Sequence, residues 1–130
     1  METFLKPGIK GEQTLIVAEK DTASRYGSGL IDVFATPAMI GLMESTAQMS
    51  VMPFLPENYI TLGTEVNVKH LKATAVGKEV RCYSELISVE GRQLTFKVTA
   101  VDDNGEIGNG FHTRFIVDKK KFIQKLHNNQ

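Results

Sequence analysis

The stretch over residues 37–52 constrains this chain more than any other. It holds one charge, Glu44, and apolar or small side chains on nearly every side. Glu44 is also the only charged residue between Asp32 and Glu57. Thr36 is well suited to an N-cap and Pro37 to the first helical position. No further proline appears until Pro53, which ends the run. The spacing therefore predicts one long helix over residues 37–52. A helix apolar nearly all round has to be buried on several sides, so the rest of the chain must wrap it. Four of the five methionines, Met39, Met43, Met49 and Met52, lie here. A core helix explains them more simply than a dedicated ligand groove, although methionine suits both uses. Gly41 costs about 1 kcal/mol relative to alanine unless something packs closely against it.

The wrapping material is strand-like. Residues 14–17 read as a short strand, residues 21–29 as a polar loop, and residues 53–58 as a second loop. Four further strands follow, over residues 64–75, 79–89, 93–101 and 106–117. In the third of these, Leu94, Phe96, Val98 and Ala100 share one face. The turn Asp102-Asp103-Asn104-Gly105 is a strong hairpin signal. From residue 118 the chain reads as a polar tail with a short helical turn at best. A strand, a long apolar helix and then an antiparallel meander is the α+β pattern of a hot-dog fold, with a sheet wrapped around one central helix. Edge strands left open in such a sheet invite pairing with a second copy.

Length and charge exclude several classes. The chain of 130 residues fits one domain, 1–130. Lys+Arg and Asp+Glu each number 15, so no global field favours nucleic acid or a membrane surface. No run approaches the ~20 apolar residues of a membrane span, and residues 1–12 lack the apolar segment of a signal peptide. The single cysteine, Cys82, forms no internal disulfide and has no metal-ligand spacing to another Cys or His. No metal and no cofactor is expected, and a cytoplasmic location is the default. There is no P-loop, no dinucleotide fingerprint and no Gly-x-Ser-x-Gly elbow.

Three polar residues stand in apolar surroundings: Thr36, Glu44 and His70. His70 lies in the segment Val66-Asn67-Val68-Lys69-His70-Leu71, where alternation places it on the face of Val66 and Val68, expected to turn inward. A hydroxyl, a carboxylate and an imidazole are the parts of many hydrolytic sites. Each has a plainer explanation: a cap for Thr36, a solvated or arginine-paired carboxylate for Glu44, a satisfied core imidazole for His70. Burying an unpaired carboxylate is costly, which favours a function for Glu44. Thr36 and Glu44 are eight residues apart, about 12 Å of helix, so in one chain they cannot touch. They line one long site or meet through a symmetry partner. Gly63 offers a backbone N–H for close approach, or simply begins a strand. Gly108, Gly110, His112 and Arg114 share one face of the last strand, and Arg114 is a cation suited to a phosphate or to Glu44. Lys69, Lys72, Lys78, Arg81 and Arg92 offer a local basic rim.

Several stretches together resemble the fluoroacetyl-CoA thioesterase group of hot-dog proteins. They are Lys6-Pro7-Gly8 with Gly11-Glu12, Ser24-Arg25-Tyr26-Gly27-Ser28-Gly29, Ala35-Thr36-Pro37-Ala38 with Glu44, Leu62-Gly63-Thr64, Val68-Lys69-His70-Leu71, and Gly110-Phe111-His112-Thr113-Arg114. The resemblance covers residues 5–117. It implies that Thr36, Glu44 and His70 are the catalytic threonine, glutamate and histidine. It further implies that Gly63 contacts substrate and that Arg114 lies in the active site. A homodimer with acyl-CoA sites at the subunit interface is implied as well. The fluoroacetate-specific enzyme carries phenylalanines in the lid before the helix, whereas residues 26–30 here hold none, although Phe34 follows. The expected activity is therefore hydrolysis of a small acyl-CoA thioester to carboxylate and free CoA. The alternatives are a hot-dog hydratase or dehydratase acting on acyl-CoA, and an acyl-CoA-binding module without turnover.

Overall fold

One long helix lies against a five-stranded antiparallel sheet. The computed structural model describes residue 3 and residues 5–129. The reading of residues 1–12 as leaderless thus falls partly outside the described residues. Strand β1 (Lys10–Ile16) is followed by a one-turn helix α1 (Ala23–Tyr26) and the long helix α2 (Thr36–Val51). Strands β2 (Tyr59–His70), β3 (Glu79–Glu90), β4 (Gln93–Asp102) and β5 (Gly105–Asp118) come next, and helix α3 (Lys119–Asn128) closes the chain. The sheet order is β1-β3-β4-β5-β2. Helix α2 packs on β1, β2, β3 and β4. The α+β hot-dog architecture is the one expected.

Alternation builds the core as anticipated. Leu94, Phe96, Val98 and Ala100 of β4 are fully buried, and so are Val80, Cys82 and Leu86 of β3. They face Met39, Met43, Ala47 and Val51, which recur at helical spacing along α2. The β4–β5 hairpin forms at the turn over Asp102–Gly105, as expected. Asp102 accepts a hydrogen bond from the Asn104 backbone N–H at 2.8 Å, and Gly105 takes φ +113°.

Four expectations need correction. The strands after the helix are not a simple meander, because β2 pairs with β5 rather than β3, in register Leu62↔Phe115 and Val66↔His112. Alternation marks a strand but says nothing of its partner. The linker after β2 crosses the fold instead: the Phe34 N–H bonds the Thr74 carbonyl at 2.9 Å, and Val33 bridges Ala75. The chain therefore leaves β2 at His70, not at residue 75. Second, the first strand begins at Lys10, because its pairing with β3 extends to Lys10↔Glu85 across the glycine. Third, the loop over residues 21–29 contains α1, stopped by Gly27 at φ +73°. Fourth, the tail is a helix of 10 residues, capped by Asp118, whose carboxylate accepts from the Lys121 N–H at 3.1 Å.

One departure bears directly on function. Helix α2 is not buried on all sides within one chain. Gly41 and Gln48 are exposed, Met49 and Met52 are 56% and 44% exposed, and Glu44 is half-buried on the same open side. Strand β2 is a sheet edge, exposed from Gly63 to Asn67. The Val66/Val68/His70 face, expected to turn inward, is only partly covered, with Val66 37% exposed. Among the described residues no helix is long and apolar enough to cross a membrane.

Candidate active site

Helix α2 starts one residue earlier than the cap signal suggested. Ala35 is the N-cap residue: its carbonyl accepts the first helical bond, from the Met39 N–H at 2.9 Å. Thr36 is therefore the first helical residue, and its hydroxyl caps nothing. It meets His70 at the end of β2 instead, with Thr36 Oγ1 and His70 Nδ1 2.8 Å apart. The hydroxyl is thus held by an imidazole and not by a helix N–H. Burial lowers the His70 pKa below its ordinary 6.5, against a smaller opposing pull from the Lys72 backbone. That backbone group does not complete a bond to the ring: Nε2 is buried and has no hydrogen-bond partner among the described residues. Thr36 and His70 line a cleft of about 240 Å³ together with Ser28, Phe34, Leu71 and Lys72. Phe34 meets the imidazole edge-on, with ring centroids 6.3 Å apart. Of the basic rim, Lys72 lines this cleft, whereas Arg92 lies over the Tyr59 ring.

Glu44, Gly63 and Arg114 converge elsewhere. A Cβ built on Gly63 would fall 2.8 Å from Glu44 Oε2, 3.1 Å from His112 Cε1 and 3.3 Å from Arg114 Nη1. A larger residue would push the Glu44 carboxylate away from the β2 backbone there. Gly63 sits inside β2, not at the start of a strand. Arg114 is 4% exposed. Its Nε donates to Thr61 Oγ1 at 2.7 Å and its Nη2 to the Thr61 carbonyl at 2.9 Å. Burial lowers the Arg114 pKa and the Glu44 charge works against that shift, although no ion pair joins the two side chains.

The five anticipated residues thus fall into two groups in one chain. Thr36 pairs with His70; Glu44 sits with Gly63 and Arg114. Gly63 and His70 are seven residues apart on β2, roughly 20 Å of strand. Sequence reasoning placed His112 on the Arg114 face but missed its bond to the guanidinium, and it missed Thr61 altogether. The only signal was a polar residue at an inward-facing strand position.

Comparison with known proteins bears on this arrangement. A family model described as FlK, fluoroacetyl-CoA-specific thioesterase, matches residues 17–120, which include all five residues. The chain is 42% identical over 95 residues to the fluoroacetyl-CoA thioesterase of Streptantibioticus cattleyicolor, covering 73% of this chain and 68% of that protein. The chain belongs to this family. Its similarity to solved FlK structures extends over nearly the whole fold. One, a structure of FlK, aligns with a TM-score of 0.90 and 33% identity over 97% of this chain and 98% of that one. Another, a phenylalanine-to-alanine mutant of FlK bound to fluoroacetate and CoA, gives 0.85 and 35% over 91% and 99%. A hot-dog-like protein from Thermanaerovibrio acidaminovorans, 21% identical, shares the fold with a TM-score of 0.88 over 96% of this chain and 93% of that one. Within this FlK-family chain a hydroxyl–imidazole pair and a glycine-seated carboxylate are available. Together they match the needs of an acyl transfer to water.

Proposed function

We propose that the protein hydrolyses a small acyl-CoA thioester at sites that two copies of the chain build together. Membership of the FlK family makes it an acyl-CoA thioesterase and a thioester hydrolase. The shared site, the residue roles and the size of the acyl group are our reading.

One observation carries the shared site. The two half-sites are related by common midpoints. On α2 the residue midway between Thr36 and Glu44 is Ile40, on the side left open in one chain. On β2 the midpoint of Gly63 and His70 falls at Val66–Asn67, at the end of the exposed stretch of the free edge. A two-fold axis passing these points pairs the two helices and the two β2 edges antiparallel. It brings Thr36 and His70 of one copy to Glu44, Gly63 and Arg114 of the other. It also covers Met49 and extends the sheet across its open edge.

In the resulting site the neutral His70 donates from Nδ1 to Thr36 Oγ1, which leaves the threonine O–H free for the thioester oxygen. The Gly63 N–H is the second donor to the developing oxyanion. The Glu44 carboxylate either attacks the carbonyl carbon or takes a proton from the water that does. Where Glu44 attacks, the C–S bond breaks to leave a mixed anhydride on Glu44, which water then hydrolyses to the carboxylate. Where Glu44 activates water, the C–S bond breaks to give the acid directly. In both cases the proton released by water ends on the CoA sulfur. Lys72, at the cleft rim, suits a CoA phosphate. The cleft of about 240 Å³ beside Thr36 suits a short acyl chain. Residues 1–130 form one such domain in this reading, and a single buried thiol at Cys82 fits a cytoplasmic location.

Release of free thiol from a panel of acyl-CoAs tests the reaction. Short acyl groups should give steady thiol release. Conversion of crotonyl-CoA without thiol would mark a hydratase, and a raised melting temperature without turnover would mark a binding module.

The pH profile tests the imidazole. His70 works as the neutral imidazole that orients Thr36, and burial holds its pKa below 6.5, so half of it is protonated only below that value. As pH falls from 8, kcat/KM should decline with its midpoint below 6.5. A decline centred above pH 6.5 would remove His70 from the role of neutral imidazole.

A further inference from the structure

We infer that His112 is a positioning residue, which sets the Arg114 guanidinium so that its one uncommitted N–H is held on the Glu44 side of the site. The inference rests on the thioesterase reading and extends it to a residue that reading does not use.

His112 is 1% exposed and stacks on Phe96 with centroids 6.3 Å apart. Its Nδ1 lies 2.8 Å from the Glu65 carbonyl. A carbonyl only accepts, so Nδ1 carries the hydrogen. Glu65 follows a β-bulge, where the β2–β5 register shifts between Gly63 and Glu65, a common device for re-aiming groups beside a site. The other nitrogen, Nε2, then presents a lone pair and accepts from Arg114 Nη1 at 3.1 Å. The tautomer is thus fixed by β2 and read out by Arg114 on β5.

The donors of Arg114 can be followed one by one. Nε bonds Thr61 Oγ1, and Nη2 bonds the Thr61 carbonyl and, at a longer 3.4 Å, Gln48 Oε1. One Nη1 hydrogen goes to His112 Nε2. The second Nη1 hydrogen has no partner among the described residues. Nη1 and Glu44 Oε2 lie 3.3 and 2.8 Å from the point a Gly63 Cβ would occupy, and on that proximity we place this hydrogen on the carboxylate side of the site. Thr61 holds the far side of the fork and His112 the near side. Without an acceptor at His112, the guanidinium is free to pivot about its Thr61 bonds.

His112→Leu removes both hydrogen bonds at similar volume. It should lower kcat for acyl-CoA hydrolysis by about 30-fold or more while KM changes by no more than about 3-fold. In an Arg114→Lys background the same change should cost almost nothing further, because His112 acts through Arg114. A second pair covers the case in which His112→Leu does not fold. His112→Gln keeps an acceptor toward Arg114, and His112→Asn keeps a donor toward Glu65. Positioning through Arg114 makes the glutamine variant the more active. If the asparagine variant matches or exceeds it, or if His112→Leu costs as much in the Arg114→Lys background as in the wild type, the inference is wrong. Wild-type hydrolysis with fully active His112 variants would overturn this inference alone. A wild-type protein that releases no thiol would overturn the thioesterase reading, and the inference with it.

Discussion

Glu44→Gln should lower thioester turnover by about 100-fold or more and leave the quaternary state unchanged, since a carboxylate acting in the transition state contributes on that scale. Glutamine has nearly the same volume, so the close packing at Gly63 survives. Arg114 keeps its bonds to Thr61 and His112, none of which involves Glu44. What is lost is the charge and its basicity. A solvated carboxylate would contribute almost nothing to the rate, so the size of the loss separates a working group from a structural one. Steady-state thiol release, with light scattering on the same sample, measures both. Near-normal turnover in the glutamine variant would assign Glu44 to structure.

Gly41→Glu should abolish dimerisation and with it most activity, by about 100-fold at micromolar protein, while the isolated chain stays folded. Nothing in the chain lies within 4 Å of a Cβ at this position. Glutamate is also a better helix former than glycine by several tenths of a kcal/mol, so a lone chain should melt no lower than before. The effect arises only if a second copy sits there. Residue 41 is next to the midpoint of Thr36 and Glu44, so two new carboxylates would face each other across the axis in a poorly hydrated contact. A variant that remains dimeric and fully active would place the interface elsewhere. A variant that unfolds would show that α2 leans on this glycine within one chain.

How much of this was legible depended on the range of the interactions. Helix α2 was visible because its start, Thr36-Pro37, and its stop, Pro53, are local. The Asp102–Gly105 hairpin and the buried face of β4 are local too. The partner of β2 was not, because pairing with β5 depends on a linker that ties to residues 33–34. Helix α3 was passed over because its lysines dominate, although Asp118 as a cap and the spacing of Phe122, Ile123 and Leu126 carried the signal. Thr36, Glu44 and His70 stood out as polar residues in apolar surroundings. The length of helix between Thr36 and Glu44 already argued that they belong to different halves of a site. By residue type Thr36 fits a cap; only the backbone shows that Ala35 fills that position. The bonds of Thr61 to Arg114 cross from β2 to β5, and that of His112 depends on a ring orientation set by the Glu65 carbonyl on β2, so neither is written in the local sequence.

If each site takes Thr36 and His70 from one copy and Glu44 from the other, two inactive variants should rescue each other. Glu44→Gln and His70→Ala make that test. Mixed in equal amounts and allowed to exchange subunits, they form hybrid dimers. Each hybrid has one site with His70 from the first variant and Glu44 from the second. Random exchange should restore roughly a quarter of wild-type thiol release, from half of the dimers with one intact site each. If the exchanged mixture is no more active than its components, each site is built within one chain, and the shared site is wrong.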